Sequence, residues 1–258
     1  MKKFSVSYIM PCWLLDIDMV NITQNAVESF RASTPDAQLV IIDNASPVGS
    51  GYLREAADLY LREKENVGYV PAMVHGMKLA DGDFFILTNN DVRISPNWYE
   101  VVKDIFYDYK VGSVHPRMTG YDTPFAYGNQ IAKTGKERWC TASFWVIRSD
   151  VLEYMKLHEP KEPYPGMFDL NYGKGIFDDV DLHCRIRKAG YSTCYTDKCC
   201  YQHFHSYTFK KSGNKEWEEG AKKNREYFTT KFGKDPDKYM SGMYPGQFRL
   251  GYEEGFQI

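Results

Sequence analysis

Four small groups of polar residues in this chain each follow an apolar run or open a helix, and their types suit the handling of phosphate, metal and protons. The run Phe84-Phe85-Ile86-Leu87-Thr88 stops on Asn89, Asn90 and Asp91. Such a run reads as a central buried strand, and ligands of open α/β sheets gather where such strands end. Asp91 with Asn90 offers hard oxygen ligands to Mg²⁺ or Mn²⁺ and so to a bound pyrophosphate; the alternative is a plain Asn-Asn-Asp turn. Asp43 ends a second apolar run, where a carboxylate can accept hydrogen bonds from a nucleobase or ribose. Asn66 and Gly68 mark a tight loop that allows close backbone approach to a nucleotide.

The fourth group is Asp178, Asp179 and Asp181 at the start of a predicted helix. Acidic residues are common helix caps, but capping accounts for one aspartate more easily than for three within four positions. Helical spacing places Asp178 and Asp181 on one face with Arg185, as an ion pair. Asp179 falls on another face and is the better candidate for a general base. His203 and His205 alternate around Phe204, so both project to one side of a strand. They are either a polar strand face or nitrogen ligands completing a site begun by Asp91.

The elements that must position these groups alternate between strand and helix. Residues 5–10 and 38–43 read as strands, 20–32 as a helix, 52–62 as helical, and 69–79 as a helix before the strand at 84–88. That alternation predicts an α/β fold with a parallel sheet and right-handed crossovers. Residues 98–107 read as a helix, 111–139 as short strands and turns, and 141–148 as a strand. Ser149 is expected to cap a helix through Met155. Residues 157–172, with three prolines, read as a mobile loop that could close over a site. A helix from 177 to Ala189 stopped by Gly190, strands over 191–202 and a final amphipathic helix over 217–232 complete the pattern.

At 258 residues the chain can bury a full core without staples. A formal net charge of −2 gives no general attraction to nucleic acid or to anionic membranes. A mild basic excess over residues 210–238 reads as a solvated helix face, so no stable nucleic-acid binding is expected. The apolar residues 4–15 are interrupted by Pro11 and followed by no cleavage-site pattern, so they read as a strand rather than a secretory signal. With no segment of membrane-spanning length, a cytoplasmic protein with reduced cysteines is expected. Cys199, Cys200, His203 and His205 lack the spacer that turns two thiolates onto one zinc ion.

Taken together, Ile41-Ile42-Asp43-Asn44-Ala45-Ser46, Asn66-Val67-Gly68-Tyr69, Leu87-Thr88-Asn89-Asn90-Asp91-Val92 and Asp178-Asp179-Val180-Asp181-Leu182 running into Arg187-Lys188-Ala189-Gly190-Tyr191 resemble a family 2 glycosyltransferase. The resemblance covers roughly residues 4 to 210. It implies the GT-A (Rossmann-like) fold, a single α/β domain with a central mostly parallel sheet flanked by helices. Residues 1–110 would form the nucleotide-sugar half, 111–235 the acceptor and catalytic half, and 236–258 a tail. It also implies inverting transfer from a nucleotide sugar, here a UDP- or dTDP-sugar, to a hydroxyl acceptor such as a glycan or lipid-linked glycan, with Mn²⁺ or Mg²⁺.

By that resemblance Pro11 lines the base pocket, Asp43 contacts the base, and Asn66 and Gly68 lie near the nucleotide. Asn90 and Asp91 meet the metal–pyrophosphate, Asp91 being the last acid of the family's Asp-x-Asp motif. Asp179 is the base, with Asp178 beside it, and His203, or else His205, is the metal-site histidine. Three positions depart from the family pattern. Asn89 replaces the first acid of Asp-x-Asp, Asp178 replaces the usual Glu, and Trp13 stands where many members have Asn. Asn89 favours another reading, a carbohydrate- or nucleotide-binding module with this fold but no turnover, and the basic excess over residues 210–238 a third, transfer onto modified nucleic acid.

Overall fold

A computed structural model describes residues 5–121, 123–133, 143–159, 161–204 and 215–237. Among these, nine strands form one sheet in the order β3-β2-β1-β4-β8-β6-β9-β5, with β7 paired to β9. It is a mostly parallel α/β sheet flanked by helices, as the sequence predicts. β1 (Val6–Cys12) lies parallel to both β2 (Gln38–Asp43) and β4 (Phe84–Thr88). All five residues of β4 are buried, as a strand covered on both faces requires.

α1 (Ile17–Ser33) starts where the Asp16 carboxylate accepts the Met19 N–H at 2.9 Å. Its buried ridge of Met19, Val20, Ala26, Val27 and Phe30 packs on the sheet, with the Phe30 ring stacked 4.5 Å from that of Tyr8. α3 (Tyr69–Leu79) crosses the other face of the sheet. It approaches β1 so closely that a Cβ at Gly76 would stand 2.4 Å from an Ile9 methyl, so only glycine fits there.

The expected helix over 52–62 is overturned. α2 (Ser50–Ala56) ends early and β3 (Leu59–Arg62) pairs parallel with β2. Leu59 and Leu61 are exposed, so this edge strand carries no alternating pattern. Tertiary pairing decides it: Asp58 donates its N–H to the Leu39 carbonyl at 2.9 Å and accepts the Leu39 N–H at 2.7 Å.

In the second half, β5 (Val92–Ile94), α4 (Trp98–Phe106), β6 (Val111–Gly120), β7 (Ile131–Lys133), β8 (Phe144–Arg148) and α5 (Ser149–His158) follow. Of the short strands expected over 111–139, the first is a ten-residue strand, with Pro116 at a register shift where a missing N–H is tolerated, and β7 is a short one of three residues. β8 runs antiparallel between β4 and β6. Ser149 does not cap α5: the cap position is Arg148, and the Ser149 hydroxyl donates to the Asp83 carbonyl at 3.1 Å.

A short 3-10 turn (Leu170–Tyr172) leads to α6 (Asp178–Lys188). β9 (Ser192–His203), a single twelve-residue strand, and α7 (Lys215–Phe232) complete the described chain. No helix among the described residues is long and apolar enough to cross a membrane. Cys12, Cys184, Cys194, Cys199 and Cys200 carry free thiols. Burial pushes the thiols of Cys184 and Cys199 well up from their ordinary value.

Candidate active site

The carboxyl ends of β2, β1 and β4 and the far end of β9 bring the polar groups together. At β4, Asp91 Oδ1 lies 3.1 Å from His203 Nε2, and Asn89 Nδ2 lies 3.2 Å from the same nitrogen. β5 makes this possible. Val92 pairs with His203 across the sheet edge, and the Phe204 N–H donates to the Asp91 carbonyl at 3.1 Å. A carboxylate oxygen and an imidazole nitrogen at this separation suit a divalent ion of the Mn²⁺ or Mg²⁺ class. Such ions commonly take one or two protein ligands and complete their shell with substrate phosphates and water. No cluster of three or more His, Cys, Asp or Glu fit for a metal occurs among the described residues. His205 lies outside the described residues.

Asn90 turns away from this pair, its amide donating to the Thr23 hydroxyl on α1 at 2.8 Å. It therefore ties the strand end to α1, a role the sequence did not suggest.

On the nucleotide side, Asp43 is 0% exposed and both its oxygens are engaged. The Ser46 N–H reaches Oδ1 at 2.8 Å, and the Tyr60 hydroxyl (2.7 Å) and Arg62 guanidinium meet Oδ2. The group facing solvent there is Arg62, with 38% of its side chain exposed. Arg62 and Tyr60 were missed because the edge strand that presents them was read as helix.

Pro11, half-buried, pairs with Ile42. Asn66 accepts the Gly68 N–H at 2.9 Å, and Asn44 closes the same loop by accepting the Val67 N–H (2.8 Å) and donating to the Gly68 carbonyl (3.1 Å). Gly68 has φ +92°, and a Cβ there would stand 2.8 Å from the Lys174 Cα. The loop after β3 thus lies directly on the turn that precedes α6, joined by the Tyr69 N–H to the Lys174 carbonyl at 3.4 Å.

That turn is built from unusual backbone. Gly173 and Gly175 have positive φ, and so do Ile176 (+79°) and Phe177 (+64°). For residues with a Cβ the left-handed region costs roughly 1–2 kcal/mol each, and strain of this kind collects at functional sites. Asp178 and Asp179 follow at once. Asp178 is buried, which pushes its carboxyl up to about 7; backbone hydrogen bonds at Asp178 and Ile176 work against the rise, and Asp181 adds to it. Asp179 is only half-buried, and its Oδ1 accepts the Val180 N–H at 2.8 Å. Tyr69 faces both: burial, then the charges of Asp178 and Asp179, hold its phenol well above the ordinary range.

Asp181 pairs with Arg185 at 2.6 Å as the helical spacing predicts. Asp178 is not among the carboxylates recorded on Arg185, which instead reaches Glu159 at 3.1 Å and the Met167 carbonyl. Lys231 of α7 meets Glu162 (2.7 Å), Asp169 (2.9 Å) and Asp181 (2.7 Å). These contacts tie Glu159, Glu162, Met167 and Asp169 to α6 and α7, so the segment expected to be a mobile loop is anchored by largely buried ion pairs.

The ends of β2 and β4 and the loop after β3 fall in a segment that has a counterpart among known proteins. The model of the family described as "Glycosyl transferase family 2" matches residues 18–161, more than half of the chain. The chain belongs to that family. It is a glycosyltransferase, which sets aside the non-catalytic module. The match ends before Asp178, so the acidic helix start and His203 are read from this chain's own geometry.

Solved structures share the fold at low identity. A mannosyltransferase from Pyrobaculum calidifontis, in complex with GDP-Man and Mn²⁺, is 16% identical with TM-score 0.64, over 96% of this chain and 67% of that one. S. aureus TarS 1-349, in complex with UDP-GlcNAc, is 10% identical with TM-score 0.63, over 98% of this chain and 75% of that one. GalNAc-T7, with UDP, GalNAc and Mn²⁺, is 13% identical with TM-score 0.61. That match covers 78% of this glycosyltransferase, which spans under half (43%) of the GalNAc-T7 chain.

Proposed function

We propose that this glycosyltransferase moves a sugar from a UDP- or dTDP-sugar to a hydroxyl acceptor by a single displacement that inverts the anomeric carbon. The observation that carries the reading is the seating of the acidic turn before α6 on the Gly68–Tyr69 loop, together with the approach of His203 to Asp91 after β4.

The residues divide as follows. Residues 1–110 supply the donor half: Pro11 and Arg62 border the base, with Asp43 anchoring Arg62, and Asn66 and Gly68 bring backbone close to the nucleotide. Asp91 and His203 would hold a divalent ion, whose charge would stabilise the leaving diphosphate. Asp179 takes the proton of the acceptor hydroxyl as its oxygen forms the new bond to the anomeric carbon. The bond from that carbon to the diphosphate oxygen breaks, and the nucleoside diphosphate leaves with the electron pair. A positioned carboxylate of this kind contributes about 10²–10⁴-fold. Residues 111–235 supply the acceptor side.

The mannosyltransferase and GalNAc-T7 structures, each with Mn²⁺, support a metal; the complexes with GDP-Man, UDP and UDP-GlcNAc support a nucleotide-sugar donor, and the latter two favour uridine as its base. The test is a thermal-shift screen of UDP-, dTDP- and GDP-sugars with and without Mn²⁺, followed by assay of nucleoside diphosphate release. A ligand that binds only the native state raises its stability as ln(1 + [L]/Kd). Mn²⁺-dependent stabilisation by a UDP- or dTDP-sugar is expected. Stabilisation by GDP-sugars alone, or none by any, overturns the donor assignment.

A further inference from the structure

The strained turn that delivers Asp178 and Asp179 is supported from outside by one side chain. Asn224 of α7 is 5% exposed, and the two N–H groups of its amide serve three backbone carbonyls of that turn: Tyr172 at 2.9 Å and Gly175 at 2.6 Å, with Ile176 at 3.3 Å sharing one of them. Because all three partners are acceptors, the chemistry itself fixes which end of the amide faces them. A buried turn that has left regular pairing needs donors for its carbonyls, and Asn224 brings its own to the place where Ile176 and Phe177 adopt positive φ.

The rest of the α7 ridge braces the same turn. Phe228, one turn after Asn224, packs its ring 6.5 Å from that of Phe177, and the Arg225 guanidinium lies over the Phe177 ring at 5.3 Å. Lys231 ties the next turn of α6 through Asp181. None of these residues falls within the segment that the family model matches.

We propose that Asn224 is a positioning residue for the reaction: it holds the 172–177 turn in its left-handed form and so aims the Asp179 carboxylate at the acceptor. This rests on Asp179 being the base. Misplacing a reacting group by about 1 Å can cost about 100-fold in rate, so the effect belongs in kcat rather than in donor affinity.

The test uses the full chain carrying Asn224→Asp, which keeps the shape and removes the donors. Three quantities are read: the rate of UDP release from UDP-GlcNAc with Mn²⁺, the affinity for UDP with Mn²⁺, and hydrogen exchange over residues 173–181. The expected result is a roughly 10- to 100-fold fall in kcat, with UDP affinity within about twofold and faster exchange confined to that turn. A wild-type rate with unchanged exchange overturns the proposal, as does a loss of UDP affinity in step with kcat.

If Asn224→Asp does not fold, Asn224→Ser is read in the same way, alone and with Ile176→Gly. Glycine accepts positive φ without help, so partial recovery of rate in the double variant is expected, and no recovery overturns the proposal. Asp179→Asn is run alongside. If Asp179→Asn keeps full rate, the base assignment falls whatever Asn224 does. If Asp179→Asn is inactive while Asn224→Asp is unaffected, only the positioning role falls.

Discussion

Asp91 and His203 are separated by 112 positions in the chain, yet Oδ1 of one lies 3.1 Å from Nε2 of the other. The short strand β5 brings them together by pairing Val92 with His203. Replacing Asp91 or His203 by Ala is expected to weaken Mn²⁺-dependent UDP binding by at least about tenfold, leaving the metal-free affinity unchanged. Losing one of few protein ligands has consequences of that order. Calorimetric titration with and without Mn²⁺ checks this.

Asn89 stands where a second acid would increase the negative charge around the ion, with its amide 3.2 Å from His203. Asn89→Asp is therefore expected to tighten Mn²⁺ binding and lower the metal concentration needed for half-maximal activity. An unchanged Mn²⁺ requirement would count against the ion sitting between these side chains.

Asp179→Asn is expected to lower transfer by about 10²–10⁴-fold while binding of UDP with Mn²⁺ survives. The pair of measurements matters, because losing both would point to a damaged turn rather than to a missing base.

Asp178 gives a pH signature. Its folded carboxyl is raised from 3.8 to about 7, so it holds its proton more tightly in the folded state. The stability it contributes is complete below the ordinary value and is lost as pH rises through about 7. Asp178→Asn, which cannot ionise, is expected to flatten the fall in Tm between pH 5 and pH 8. At pH 8 the variant should be more stable than the wild type, read by calorimetry.

Lys231 is the shared cation of Glu162, Asp169 and Asp181. Lys231→Met leaves three largely buried carboxylates without it, and breaking such a cluster from one side costs about 3–5 kcal/mol. Burial works against the ionised form of Asp169, but hydrogen bonds from Lys231 and Tyr227 outweigh it and hold the carboxyl below its ordinary value. That stability is present above the unfolded pKa and is lost as pH falls through the folded one. The gap between variant and wild type is therefore expected to be widest at pH 7 and to narrow as pH falls, seen in urea unfolding at pH 7 and pH 3.

Local sequence was enough to determine the elements whose signal is a continuous apolar run or a helical ridge. β2 and β4 are buried along nearly their whole length, and α3 and α6 carry their boundaries in Gly68, Gly190 and the acidic start at Asp178. Residue type and order also marked Asp91 and His203, which the fold brings to 3.1 Å from each other.

Only the tertiary structure decided what each side chain does. Leu59 to Arg62 became an edge strand because β2 offered unpaired backbone, and that alone sets Arg62 and Tyr60 on Asp43. Asn224 looks like any polar residue on a solvated helix until α7 docks and its amide meets three carbonyls more than 45 residues earlier in the chain. Periodicity reports which face of a segment is apolar. It carries no information about which distant carbonyl or carboxylate that face will meet.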